Sequence, residues 1–193
     1  MTIADRVRIL DVKTLSQDWG VVKKTTFDYR RNGGDWQRQT RETYDRGNGA
    51  TILLYNLAKR TVILTRQFRF PCFASGYDAL MIETPAGLLD KQSPVERIRS
   101  EVEEETGFHV RAPKKVFEAY MSPGSVTEKL TFFVAPYDAA DQRSAGGGIA
   151  AEGEDIDTLE IPFDDALAMI ADGRVVDAKT IMLLQHAALA IFR

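Results

Sequence analysis

Glu101, Glu104 and Glu105 stand at i, i+3 and i+4 in the stretch Ser93-Pro-Val-Glu-Arg-Ile-Arg-Ser-Glu-Val-Glu-Glu-Glu-Thr-Gly-Phe108. On a helix that spacing puts all three carboxylates on one face. Each like-charged neighbour then costs about 0.2–0.5 kcal/mol. Acids in a last turn also meet the negative end of the helix dipole, at roughly 0.3–1 kcal/mol each. A divalent cation reverses both penalties, and hard cations such as Mg²⁺ bridge carboxylate and phosphate oxygens. The chemistry indicated is metal-assisted work on a phosphorylated substrate. A solvated glutamate face is the competing reading, which Glu-x-Glu-Glu alone does not exclude.

The helix carrying these residues is well marked. Ser93 reads as its N-cap, Pro94 as the first helical residue and Glu96 as the far half of a capping box. Gly107 supplies the left-handed residue that ends it. Val95, Ile98 and Val102 form an apolar stripe at i, i+3 and i+7. In front lies the turn Pro85-Ala-Gly87-Leu-Leu-Asp90.

Together these segments resemble the Nudix box, Gly-x5-Glu-x7-Arg-Glu-U-x-Glu-Glu-x-Gly-U, where U is bulky and aliphatic or aromatic. Gly87 matches the first position, and Glu101, Val102, Glu104, Glu105, Gly107 and Phe108 match the second half. The spacing from Gly87 to Glu101 is one residue short. Ser93 stands in place of the first Glu, and Ser100 in place of the Arg that steadies the glutamates. Arg99 is adjacent but lies about 100° away around the helix.

Composition sets the frame. The chain has 193 residues, 44% of them apolar and 27% charged, which suits one soluble domain with a small extension. A net charge of −3 argues against a nucleic-acid partner held through phosphates. Cys72 is the only cysteine, excluding an intrachain disulfide, and reads as a small buried hydrophobe. No signal-like or membrane-length apolar run occurs, so the expected location is the cytoplasm.

Strands are expected over 5–10, 20–30 and 36–45, then 50–56 and 61–67 joined by a hairpin at Ala58-Lys-Arg60. Residues 70–79 read as irregular and Leu80 to Glu83 as a short strand. Further strands are expected at 115–121, 129–136 and 156–161, with helices at 163–172 and 178–192. The loop from Tyr137 to Gly153 contains Gly146-Gly147-Gly148, which by itself reads as plain linker. Strands mixed with three helices fit an α/β fold. The resemblance specifies a Nudix α/β/α sandwich (46–193) with an N-terminal antiparallel β-extension (1–45).

Several flanking segments are similar to the nucleotide-sugar branch of that family. They are Asp45-Arg-Gly-Asn-Gly-Ala50, Arg66-Gln-Phe-Arg69, Tyr120-Met-Ser-Pro-Gly-Ser-Val-Thr-Glu128 and Ala145-Gly-Gly-Gly-Ile-Ala-Ala-Glu152-Gly-Glu-Asp-Ile156. Members acting on GDP-mannose match over nearly the whole chain, and those acting on ADP-ribose are near neighbours. The resemblance implies hydrolysis of a nucleotide-sugar diphosphate with Mg²⁺, for which Mn²⁺ can substitute. It implies metal ligation by the Ala86 carbonyl, Glu101, Glu105 and Glu154, with Glu152 an alternative to the last. Substrate contacts would come from Trp19, Thr40, Arg41, Glu42, Arg69, Ala86, Gly87, Leu88, Glu105, Glu128, Gly153, Glu154 and Lys179. Glu128, or in reserve Glu104, would take a proton from water, with Glu105 also catalytic. Arg66 reads as structural. The β-extension would reach across a homodimer.

Overall fold

The structure is a computed structural model and describes residues 2–193. Met1, the first residue of the expected extension, lies outside the described residues. Contacts divide the chain into two compact units, Met1–Asn48 with Tyr120–Lys129, and Gly49–Ala119 with Leu130–Arg193.

The first unit is a three-stranded antiparallel sheet of β1 (Val7–Gln17), β2 (Val21–Arg30) and β3 (Trp36–Asp45), in that order. β1 extends well past the expected 5–10, because Asp11-Val-Lys-Thr-Leu-Ser-Gln17 continues the pairing with β2, with register shifts at Ile9/Asp11 and Thr14/Ser16. The 120–129 loop joins this unit through Tyr44, which donates its N–H to the Ser125 carbonyl and accepts from Thr127 N–H.

The second unit holds β4 (Gly49–Asn56), β5 (Thr61–Gln67), β6 (Met81–Glu83), β7 (Ala86–Leu88), β8 (Lys114–Tyr120), β9 (Lys129–Pro136) and β10 (Asp157–Pro162). They form a mixed sheet in the order β10-β5-β4-β9-β8, with β6 paired to β5 and β7 to β4. β4 runs parallel to β9 and antiparallel to β5. Its Ala50-Thr-Ile-Leu-Leu core is fully buried. Such a continuous apolar run, instead of alternation, is what a strand covered on both faces requires.

The covers are α2 (Pro94–Thr106) on one side, and α3 (Phe163–Ala171) and α4 (Ala178–Ala190) from the C-terminal half. Ile98 and Val102 of α2 bury against Ile52, Leu54, Ile63 and Phe133. Alternation along β4 and β5 turns Leu53, Val62 and Leu64 the other way, where Phe163, Leu183 and Leu184 are also buried. This is the expected α/β/α layering. Ile98 is fully buried, so truncation to Ala would cost about 2–5 kcal/mol.

Three local expectations are corrected. Residues 70–79 are not wholly irregular: Pro71 near the helix start permits a short helix, α1 (Phe70–Ala74). Cys72 there is half-buried, not a core residue, because a single exposed turn cannot enclose it. Val95 is exposed, since the apolar stripe faces the sheet only from Ile98 onward.

Candidate active site

Helix α2 begins as its sequence dictates. The Ser93 hydroxyl accepts from Glu96 N–H, and the Glu96 carboxylate accepts from Ser93 N–H at 3.0 Å. Two orphan donors are thereby satisfied together. The helix ends at Gly107, and there the glycine-rich loop closes over it. Gly147 N–H donates to the Glu105 carbonyl and Gly148 N–H to the Glu104 carbonyl, both at 3.0 Å. The Thr158 hydroxyl also donates to the Glu105 carbonyl at 3.2 Å. Gly146 sits at φ +68, and a β-carbon on it would overlap the Glu105 carbonyl. Gly146-Gly147-Gly148 is therefore a strap that caps the carbonyls a helix leaves open, and not the plain linker its composition suggests.

The carboxylates above this strap are buried. Glu101 is 4% exposed and Glu105 2%, whereas Glu104 is half-buried. Burial pushes the Glu101 carboxyl up to about 7, with Glu104 and Glu154 adding to the rise and Arg97 opposing it. Burial likewise raises Glu105 well above the usual carboxylate range, reinforced by Glu101 and Glu154 and opposed by Arg69. Among the described residues, Glu105 Oε2 has no hydrogen-bond partner. An ionised oxygen so placed is costly unless a cation meets it.

Residues 86–88 supply the floor. β7 pairs with β4, Thr51 opposite Ala86 and Ala50 opposite Gly87. A β-carbon at Gly87 would overlap the Glu101 carboxylate, so this backbone approaches the acid as closely as only glycine allows. Ala86, Gly87 and Leu88 are all half-buried. Of the two candidate loop acids, Glu154 is half-buried and follows Gly153 (φ +79). It is near enough to raise both box carboxyls, while its Oε2 accepts from Ile149 N–H at 2.8 Å. Glu152, the alternative, is exposed.

Among the described residues, no three acidic, histidine or cysteine side chains are already gathered tightly enough to hold an ion. The chemistry of the donors nonetheless fits one. They are oxygen only, as Mg²⁺ prefers, mutually repulsive and carry an orphaned buried oxygen. Glu101, Glu105 and the Ala86 carbonyl are residues that could hold such an ion, and Glu154 could join them only by giving up its bond to Ile149 N–H.

Beside this cluster lies a buried ionic network that sequence reasoning only half saw. Arg69 is only half-buried, and its fork is already engaged. It grips Glu83 in two bonds of 2.9 Å. Lys179, far from being ordinary surface, is mostly buried and bonds Glu83 at 2.9 Å and Asp177 at 3.0 Å. Burial alone would raise the Glu83 carboxyl, but Lys179 and Arg69 more than reverse that and hold it at about 2. Asp177 N-caps α4 through Thr180 N–H, and the Thr180 hydroxyl accepts from Thr84 N–H. The sequence marks Glu83 only as the end of a short strand and does not single out Asp177.

In the first unit, Trp19 is 68% exposed and the Arg46 guanidinium lies 5.8 Å from its ring centroid. Arg46 also pairs with buried Glu128 at 2.6 Å. Trp19, Arg46 and Glu128 are thus brought together, and Arg46 was marked only by its place in Asp45-Arg-Gly-Asn-Gly-Ala50. Thr40, Arg41 and Glu42 are exposed on β3, with Arg41 donating to the Thr40 carbonyl at 2.9 Å. Arg66 ion-pairs with Asp157 at 2.7 Å, in keeping with a structural role.

A mixed α/β/α sandwich built on this box helix is the arrangement of a Nudix hydrolase. Residues 6–44 match the family described as GDP-mannose pyrophosphatase NudK N-terminal domain. A GDP-mannose pyrophosphatase of Pectobacterium atrosepticum is 55% identical over 94% of this chain and 93% of its own. Those of an Enterobacter species and of Salmonella typhimurium are 51% and 46% identical, over 94% and 95% of this chain and 94% and 96% of theirs. The chain belongs to the bacterial GDP-mannose pyrophosphatase family.

Proposed function

We propose that this enzyme hydrolyses GDP-mannose to GMP and mannose 1-phosphate with Mg²⁺, Mn²⁺ serving as a substitute. The observation that carries the reading is the buried Glu101–Glu105 pair, with Glu105 Oε2 unpartnered, on a chain similar to those relatives nearly end to end. Water adds across the P–O–P linkage, its oxygen going to one phosphorus while the bridging oxygen leaves with the other. When bound, Mg²⁺ supplies charge neutralisation on the diphosphate and a water of lowered pKa.

The chain's own residues do the rest. Glu101, Glu105, Glu154 and the Ala86 carbonyl would hold the cation, and the Gly87–Leu88 backbone would contact the diphosphate. Arg69 and Lys179 are cations fixed beside the cluster, where Glu83 keeps them oriented for phosphate. Glu128, fixed by Arg46, takes the proton from water, with Glu104 in reserve. Trp19 offers a face for a guanine to stack on, and Thr40, Arg41, Glu42 and Gly153 line the remaining contacts. The three-stranded unit serves a homodimer that shares these residues between subunits. No helix among the described residues is long and apolar enough to cross a membrane, and the enzyme acts in the cytoplasm on a dissolved nucleotide sugar.

Product analysis with GDP-mannose and ADP-ribose offered side by side tests the reading. GMP and mannose 1-phosphate are expected, at much the higher kcat/KM. Preferential release of AMP and ribose 5-phosphate would move the enzyme to the neighbouring branch. Cleavage of neither would refute the hydrolase reading.

A further inference from the structure

The box arginine is missing, yet Glu101 does not go unsupported. Arg97, four residues earlier, forms an ion pair with Glu101 Oε1. The geometry follows from the helix itself. Side chains tilt toward the N-terminus, so Glu101 leans back over the turn that carries Arg97. Neither nearer residue serves it. The Ser100 hydroxyl donates back to its own helix, to the Arg97 carbonyl at 3.0 Å. Arg99 donates to the Arg111 carbonyl.

Arg97 is also no loose surface partner. Its side chain is 23% exposed, and its Nε is buried with no partner among the described residues. Leaving a buried donor open is unfavourable, so the guanidinium stays inward at a cost the carboxylate pairing must offset. On the other side of Glu101 stands the Gly87 backbone, with no room for a β-carbon. The carboxylate is clamped between the two.

We propose that Arg97 is the positioning residue of the box, fixing the Glu101 carboxylate for a divalent cation from one turn upstream. This rests on the metal-site reading above and adds to it the residue that performs the task for which position 100 holds no arginine. Partners that orient metal ligands are commonly worth 10–100-fold in metal affinity.

The test is Mn²⁺ binding to the chelator-stripped full-length protein, followed by electron paramagnetic resonance of the free ion, with no substrate present. Arg97→Met should raise the Mn²⁺ Kd about tenfold or more, while Arg99→Met should leave it within about twofold. Arg97→Gln, which keeps the stem and some donors but neither the charge nor the fork, is measured alongside in case the Met variant does not fold. It should also lose affinity. Unchanged affinity in the folded Arg97 variants would overturn the proposal. Tighter binding would too, by making Arg97 a competitor of the cation. Equal loss in the Arg99 variant would reduce the effect to general helix charge and likewise overturn it. Wild-type protein that binds no Mn²⁺ would refute the metal site itself, an outcome distinct from all of these.

Discussion

Replacing Glu83 by Gln keeps the shape of the buried network and removes only its charge. In the native protein this carboxyl titrates at about 2, against 4.5 unperturbed. Each unit is worth ~1.36 kcal/mol, so ionised Glu83 contributes roughly 3 kcal/mol at pH 7. That agrees with the lower end of the ~3–5 kcal/mol lost when a buried ion pair is broken from one side. The lower end is appropriate because Lys179 keeps Asp177 at 3.0 Å. The sign is that of a depressed carboxyl. Its stabilisation is present above pH 4.5 and is lost as pH falls toward 2. The gap between wild type and Glu83→Gln should therefore be about 3 kcal/mol at pH 7 and about 2 kcal/mol at pH 3.5.

Urea unfolding at a series of pH values measures this, with helical circular dichroism as the signal. Tryptophan fluorescence would mislead, since Trp19 and Trp36 both lie in the first unit whereas every α-helix lies in the second. A gap that stays constant from pH 7 to 3.5 would refute the assignment of the stability to the Glu83 charge. A gap near zero at pH 7 would show that burial had cancelled the pairing.

Two further substitutions read the box and the strap that closes it. Glu105→Gln should abolish turnover while leaving the metal-free protein at least as stable as wild type, because it removes a carboxylate that burial and Glu101 both disfavour; near-normal activity, or a clearly lowered melting temperature without metal, would contradict this. Gly146→Ala should destabilise by more than about 1 kcal/mol, since it strains a positive φ and drives a methyl into the Glu105 carbonyl. It should also weaken Mn²⁺ binding by displacing the turn that leads to Glu154, and unfolding and binding curves unchanged from wild type would show that the strap is passive.

What could be read from the chain, and what could not, divides along the range of the interactions. Ser93, Pro94, Glu96 and Gly107 fix the box helix through contacts within four residues, so its bounds follow from local rules. β4 and β5 are long enough apolar runs to be assigned without their partners. Arg97 also lies within one turn of its partner, but the motif directs attention to position 100. Only the rule that i and i+4 side chains meet could have singled it out. The Glu83 network is different in kind. Arg69, Glu83 and Lys179 are brought together by β6 pairing with β5 and by the docking of α4, events 14 and 96 residues apart in the chain. No local pattern distinguishes a lysine aimed at such a carboxylate from one aimed at water.

The same distinction explains how the protein tolerates acids where helices least favour them. Locally, the C-terminal turn of α2 carries three glutamates, Glu103, Glu104 and Glu105, and no basic residue. Beyond the Arg97–Glu101 pair within the helix, the relief is non-local: strap N–H groups from Gly147 and Gly148 cover the last carbonyls, and the Arg69 charge opposes the rise at Glu105. Neither device satisfies Glu105 Oε2. The fold therefore stabilises the helix end while leaving Glu105 Oε2 without a partner among the described residues, and it is this oxygen that the proposed site would turn to a cation.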